Sequence, residues 1–231
     1  MPVIVFVSPK GGAGKTTSAL LLGEQIAQSA PVTIIDADPN HPIKTWASGA
    51  NTPANLNVVA DADEENIIDV IEEAAARTPF VIVDLEGTAA KIVLLAVSQA
   101  DLVIIPMQGS QLDAAQAARA LKVVKQQEKM SRRKVPYGML ITRTNPTIRT
   151  RTSTYLMNSF REAEIMMFNT ELHEREAYKA IFAFNQPLSA LDPKSVANIE
   201  KAITNAQEYA AEVIELLRAN SEAAAAEGRA A

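Results

Sequence analysis

Val3-Ile4-Val5-Phe6-Val7-Ser8-Pro9-Lys10-Gly11-Gly12-Ala13-Gly14-Lys15-Thr16-Thr17 is the stretch on which the fold of this chain turns. Val3–Val7 is an unbroken apolar run rich in β-branched residues, as in a strand buried on both faces. Gly11, Gly12 and Gly14 follow, and Lys15-Thr16 opens an amphipathic helix expected to reach Ser29. A strand that delivers the chain, glycines that let backbone N–H groups point inward, and the positive end of a helix together make a phosphate cradle. In such a loop Lys15 reaches the β- and γ-phosphates and the Thr16 hydroxyl is a Mg²⁺ ligand. Pro9 stands where the general motif has glycine, so the loop is a variant. Lys10 brings a second cation where one suffices; its spacing alone fits a solvated loop lysine as well as a second phosphate-directed charge.

The rest of the chain alternates in the same manner. Strands are expected at Val32–Asp36, Asn57–Ala60, Phe80–Asp84, Leu102–Ile105 and Tyr137–Thr142. Helices are expected over residues 64–77, 89–99, 113–129, 150–164 and 193–218, the last opening on a proline. Several strands are continuous in Val and Ile, which requires helices on both sheet faces. The fold class is therefore α/β, a doubly wound and mostly parallel sheet. Residues 1–218 are read as a single domain and the Ala-rich residues 219–231, with little to bury, as a frayed tail.

Composition narrows the chemistry. With 231 residues, 48% hydrophobic, the chain is long enough for one large α/β core. There is no cysteine, which removes disulfides, thiol nucleophiles and thiolate-held metals, and His41 and His173 are the only imidazoles. No apolar run approaches the roughly 18 residues of a membrane span, and no signal peptide is recognisable, so a cytoplasmic protein is expected. The net charge of −5 is unevenly spread. Between Arg119 and Arg161 eleven lysines and arginines face the single acid Glu128, a local balance of +10 that leaves −15 for the remainder. Such asymmetry fits a polyanion footprint, and equally a set of ordinary solvated helix faces.

Mg²⁺ takes oxygen ligands and keeps several waters, so acids are expected at the carboxyl ends of strands neighbouring the loop. Val32–Ile35 runs into Asp36-Ala37-Asp38, and Phe80–Val83 runs into Asp84. Asp84 fits a carboxylate that holds the metal through water. Asp36 or Asp38 fits a group that orients the metal shell or the attacking water.

Lys10-Gly11-Gly12-Ala13-Gly14-Lys15-Thr16-Thr17 resembles the deviant Walker A motif of the ParA/MinD ATPases. The likeness continues at Asp36-Ala37-Asp38-Pro39-Asn40, Trp46, Val83-Asp84, Ala100-Asp101-Leu102-Val103-Ile104-Ile105-Pro106 and Ser110-Gln111-Leu112-Asp113. It covers residues 2 to 190 and, through Pro9, is nearest to the small ParF-like plasmid partition ATPases. The resemblance implies an ATP hydrolase, weak without its partner, that works as a homodimer with ATP and Mg²⁺ sandwiched between subunits. Lys10 would cross to the partner's phosphates, Lys15 bind its own subunit's, Thr17 contact the α-phosphate, and Gly11, Gly12, Ala13 and Gly14 form the cradle. Asp38 matches the aspartate needed for hydrolysis, Asp36 its neighbour in the metal shell, and Asp84 the Walker B acid. Residues 141–145 would lie near adenine. Glu86 and Gly87 stand where many relatives have prolines.

In that family the ATP dimer sits nonspecifically on nucleoid DNA, and a cargo-bound adaptor, ParB-like or ParG-like, triggers hydrolysis and release. DNA contacts are expected at Arg149, Arg151 and Arg161, with Lys179, Lys194 and Lys201 as neighbours, in preference to Arg119, Lys122 and Lys129. With the loop starting at Lys10, no sequence-specific DNA reader is expected. A MinD-like membrane switch needs a basic amphipathic carboxyl-terminal helix, whereas residues 210–218 are rich in Ala and acids, so no membrane contact is expected. An ATPase that positions a conjugative transfer DNA complex or a protein microcompartment shares these motifs and stands as the alternative.

Overall fold

The protein is described by a computed structural model over residues 1–87, 90–148 and 151–230. Seven strands form one sheet: β1 (Val3–Phe6), β2 (Val32–Ala37), β3 (Leu56–Val59), β4 (Phe80–Leu85), β5 (Leu102–Met107), β6 (Tyr137–Thr144) and β7 (Leu172–His173). Their order is β3-β2-β4-β1-β5-β6-β7, and every adjacent pair is parallel. The expected doubly wound parallel sheet is thus present. Chain order runs to one side as far as β3, then β4 fills the gap between β1 and β2, and β5 opens the other side of β1. The crevice beyond the carboxyl end of β1 lies at this reversal, where open α/β sheets bind ligands.

The strands read as continuous apolar runs because both faces are covered. Ile4 and Phe6 point into one core, with Leu20, Leu21, Trp46 and Tyr209; Val3, Val5 and Val7 point into the other, with Ile71, Val97 and Val124. The first is roofed by α1 (Lys15–Ala27), α2 (Pro42–Ala47), α7 (Glu176–Phe184) and α8 (Ile199–Ala230), the second by α3 (Ile67–Arg77), α4 (Ala90–Gln99) and α5 (Gln111–Ser131). α6 (Arg151–Glu162) lies beside α5 and sends Phe160 into the second core.

Several boundaries differ from the sequence reading for local reasons. α3 begins at Ile67 rather than at residue 64, because the Asp63 carboxylate accepts the N–H groups of Glu65 and Asn66 and forms a turn of its own. α8 begins at Ile199 rather than at Pro193. Asp192 accepts the Lys194 N–H and the Ser195 hydroxyl, and Asn198 then takes a left-handed φ of 58° that no continuing helix allows. At its other end α8 runs through residues 219–230. The expected helix starts at Ala89 and Thr150 fall outside the described residues. Four elements among the described residues were not anticipated: α2, the short β7, α7 and a 3-10 turn at Leu188–Ala190.

Candidate nucleotide site

The loop between β1 and α1 is built from positive-φ glycines and stapled from outside. Gly12 has φ 76° and Gly14, the residue that caps α1, has φ 100°, conformations that L-residues with a Cβ rarely adopt. From β6, the Thr142 hydroxyl donates to the Ala13 carbonyl at 2.7 Å and approaches the Met107 carbonyl at 3.2 Å. The Gln108 side-chain amide donates to the Gly12 carbonyl at 3.0 Å. With its carbonyls occupied, the loop is left to present N–H groups to an anion at the start of α1.

Lys15 is buried, and its ammonium donates to the Ser8 carbonyl at 3.2 Å. Burial lowers its pKa, opposed by the charges of Asp84, Asp38 and Glu86. Asp84 pairs in register with Phe6 on one side and Asp36 on the other, so two sheet-end carboxylates stand beside the loop. Both Asp84 oxygens are buried without a hydrogen-bond partner of good geometry. Burial pushes the Asp84 carboxyl up to about 7, opposed first by the Thr16 hydroxyl. Asp36 is divided: Oδ2 accepts the N–H groups of Ile43 and Lys44 at 2.8 and 2.9 Å, whereas Oδ1 is buried without a partner. Burial raises its pKa as well. Asp38 is half-exposed, and its Oδ1 accepts from the backbone and side chain of Asn40.

These groups fit a Mg²⁺–nucleotide. Three buried carboxylate oxygens without partners are expensive unless a cation or its water shell reaches them, and the half-buried Thr16 hydroxyl is beside them. No group of three or more His, Asp or Glu that could hold a metal unaided occurs among the described residues. The metal would therefore rely on phosphate oxygens and water, as Mg²⁺ commonly does. A cavity of about 290 Å³ adjoins the loop, lined by Gly14, Thr17, Thr142, Arg143, His173 and Arg175 among others, and is placed for a nucleoside.

The VirC1 protein family model matches residues 1–220. The chain belongs to the VirC1 family. It is 38% identical over 218 residues to the Protein ParA of Rhizobium radiobacter, covering 94% of this chain and 98% of that one. Among solved structures, apo McdA of Cyanthece superposes with a TM-score of 0.72 at 20% identity, covering 90% of this chain and 99% of that one. MinD of Aquifex aeolicus gives 0.71 at 18% identity, with 93% and 98% covered. These two likenesses concern the fold. The family match and the ParA relative make this VirC1-family protein a ParA-type ATPase of the partition or positioning kind.

The sequence-identified residues divide into two groups in space. Gly11, Gly12, Ala13, Gly14, Lys15, Thr16 and Thr17 meet Asp36, Asp38 and Asp84 at the carboxyl end of the sheet. Lys10 does not join the cradle: its ammonium lies 2.5 Å from Asp113 Oδ1, at the start of α5. Of the DNA candidates, Arg149 lies outside the described residues, and Arg151 and Arg161 are exposed at the two ends of α6. Lys179 is already paired with Glu174 and Glu176. Along and just beyond α5, Arg119, Lys122, Lys129, Arg132 and Lys134 are exposed and form no ion pair with described residues.

Three contributors to the site were missed, the first of them Gln108, whose amide holds the Gly12 carbonyl. Thr142 was read only as part of a strand near adenine, yet it supports the loop from behind. At Gly87 a Cβ would lie 2.8 Å from the Ser8 carbonyl and 3.4 Å from the Lys15 ammonium. The sequence marked it by its place just after Leu85 and Asp84 and by the departure of Glu86 and Gly87 from the prolines of many relatives.

Proposed function

We propose that this protein is an ATP-clamped partition ATPase. Two copies close on Mg²⁺–ATP, the closed dimer binds DNA without sequence preference, and a cargo-bound adaptor stimulates hydrolysis to release it. The observation that carries this reading is the division of labour between the two loop lysines. Lys15 is buried in the cradle and suffices for the phosphates of its own subunit, while Lys10 remains on the rim, 39% exposed, with its charge directed away. A lysine in that place serves a phosphate that does not belong to its own subunit.

In the proposed site the loop N–H groups and Lys15 hold the phosphates, Thr17 contacts the α-phosphate, and Thr16 with Asp84 and Asp36 holds the hydrated metal. The metal supplies charge neutralisation on the phosphoryl oxygens. Asp38, reachable by solvent, orients the attacking water. A contact between Lys10 and the partner's triphosphate exists only while that triphosphate is intact, so hydrolysis removes the interaction that favoured the closed state. Dimerisation doubles the cations presented to DNA, and DNA affinity depends steeply on their number. Arg151 and Arg161, with Arg149, are the proposed contacts.

Binding to random-sequence duplex DNA with ATP, ADP or no nucleotide, across a salt series and beside Lys10→Ala, tests the reading. Salt-sensitive binding that needs ATP and Lys10 is expected; absence of binding under every nucleotide condition would refute it. The family match and the carboxysome-distribution relatives, 23% identical over 172 residues in the Halothiobacillus neapolitanus protein, support a second cargo class, a transfer DNA complex or a protein compartment. No helix among the described residues is long and apolar enough to cross a membrane.

A further inference from the structure

The carboxyl-terminal end of α1 borders a second cavity, of about 260 Å³, enclosed with Pro53, the turn at Leu188–Ala190 and α8. Glu24 is part of its wall, about 14 Å along the helix from Lys15. No residue that lines this cavity also lines the one beside the phosphate loop. Glu24 is 4% exposed. Its Oε2 accepts the Leu188 N–H at 3.1 Å, which ties two residues of the wall together, whereas Oε1 is buried with no partner among the described residues. A buried carboxyl oxygen in that state is costly whether the group is charged or neutral. The described residues of the wall include no lysine, arginine or histidine. Pro53, Pro187 and Ile203 supply apolar surface, and Gln28 adds a polar end: its amide nitrogen donates to Gln25 at 2.8 Å, so its carbonyl oxygen remains an acceptor.

We propose that this cavity binds an organic cation with an ammonium or guanidinium head on a short aliphatic stem. The head pairs with Glu24, and the stem lies against Pro53, Pro187 and Ile203. A neutral donor satisfies Oε1, but only a cation also offsets the cost of a buried negative charge. Burial raises the Glu24 carboxyl to about 8, so near neutral pH the arriving head displaces its proton to solvent. Tyr178 of α7, whose titration feels the Glu24 charge, is itself raised by burial and stays neutral, so it does not compete as a partner. The site needs no nucleotide and no second copy, and it stands or falls separately from the clamp reading above.

The test is thermal unfolding of the full chain without nucleotide against butylammonium and butylguanidinium chloride, with sodium chloride at equal ionic strength and n-butanol as controls. A saturable rise of a few degrees is expected with the two organic cations and with neither control. Glu24→Gln keeps the side-chain shape and the acceptor for Leu188, and is expected to lose the rise. Gln207→Trp, at an exposed position of the same wall, is expected to fill the cavity and weaken binding at least tenfold. A rise of equal size with n-butanol or in Glu24→Gln, unchanged affinity in Gln207→Trp, or no rise with either cation overturns the proposal. Acetyl-lysine amide and acetyl-arginine amide, titrated in the same way, separate the sources of the head. Tighter binding than the free amines assigns the site to a side chain of a partner protein, and weaker binding to a free small amine; both results keep the site.

Discussion

Glu24 shows at the scale of one residue how the loop helix is tied into the fold. It is buried in the last turn of α1, its Oε2 accepts the Leu188 N–H at 3.1 Å, and Oε1 has no partner among the described residues. Burial raises its carboxyl from 4.5 to about 8. The fold therefore keeps a proton that the unfolded chain releases above pH 4.5. The stability linked to that proton is complete below pH 4.5 and is lost as pH rises to about 8. Glu24→Gln cannot release it, so its melting temperature relative to the parent is expected to climb between pH 5 and 8 and then level off; a constant difference would remove Glu24 as the titrating group. Gly87 makes the complementary point about space. In Gly87→Ala the new Cβ meets the Ser8 backbone 2.8 Å away, and the nearest relief lies towards Lys15. Nucleotide titration should show at least tenfold weaker ATP binding, with a melting temperature of the nucleotide-free protein lowered by only a few degrees. The glycine-lysine core of the site was legible because its glycines are required by backbone conformation. Gly87 was not, because its need arises from a loop close in space and distant in sequence.

Among the elements, α2 links the acid end of β2 to the segment after α7 on the same face of the sheet. Its first N–H groups are accepted by Asp36, its Trp46 is fully buried, and the indole N–H donates to the Gln186 carbonyl beyond α7 at 3.1 Å. Asp36 is thus a helix anchor as well as a candidate for the metal shell. Asp36→Ala should destabilise the protein by about 1–3 kcal/mol, the cost of leaving buried N–H groups without an acceptor. Because Trp46 is the sole tryptophan, its emission should shift to longer wavelength without nucleotide. An unshifted spectrum with lost ATPase activity would confine Asp36 to chemistry. The long elements were readable from hydrophobic period and acids at strand ends. α2 escaped because six residues give no period, although Pro42 at its start and the Ile43–Trp46 spacing were visible. β7 escaped because a two-residue strand is fixed by its neighbours: the His173 N–H donates to Asn205 of α8, and Glu212 of α8 accepts from the preceding Asn169 and Thr170.

At the scale of the molecule, charge rather than topology decides what the protein touches. The sheet places the nucleotide crevice at the carboxyl end of β1, and α5 and α6 carry the positive surface beside it. Internal pairing has already spent Lys125 on Glu128, Arg133 on Asp101 and Lys179 on two glutamates. Among the cations that form no ion pair with described residues are Arg151 and Arg161 on α6 and Arg119, Lys122 and Lys129 on α5. Each phosphate contact contributes about 0.9 to the slope of log affinity against log salt, and a closed dimer loses every contact twice. Replacing Arg151 and Arg161 by glutamate should therefore flatten the slope of ATP-dependent DNA binding by roughly 2 to 4. The same change at Arg119, Lys122 and Lys129 should leave it in place. ATP hydrolysis without DNA should be unaltered in both variants, since none of these residues lines the nucleotide cavity. The reverse result, a slope lost with the α5 set and kept with the α6 set, would move the DNA face onto the helix whose first turn holds Lys10.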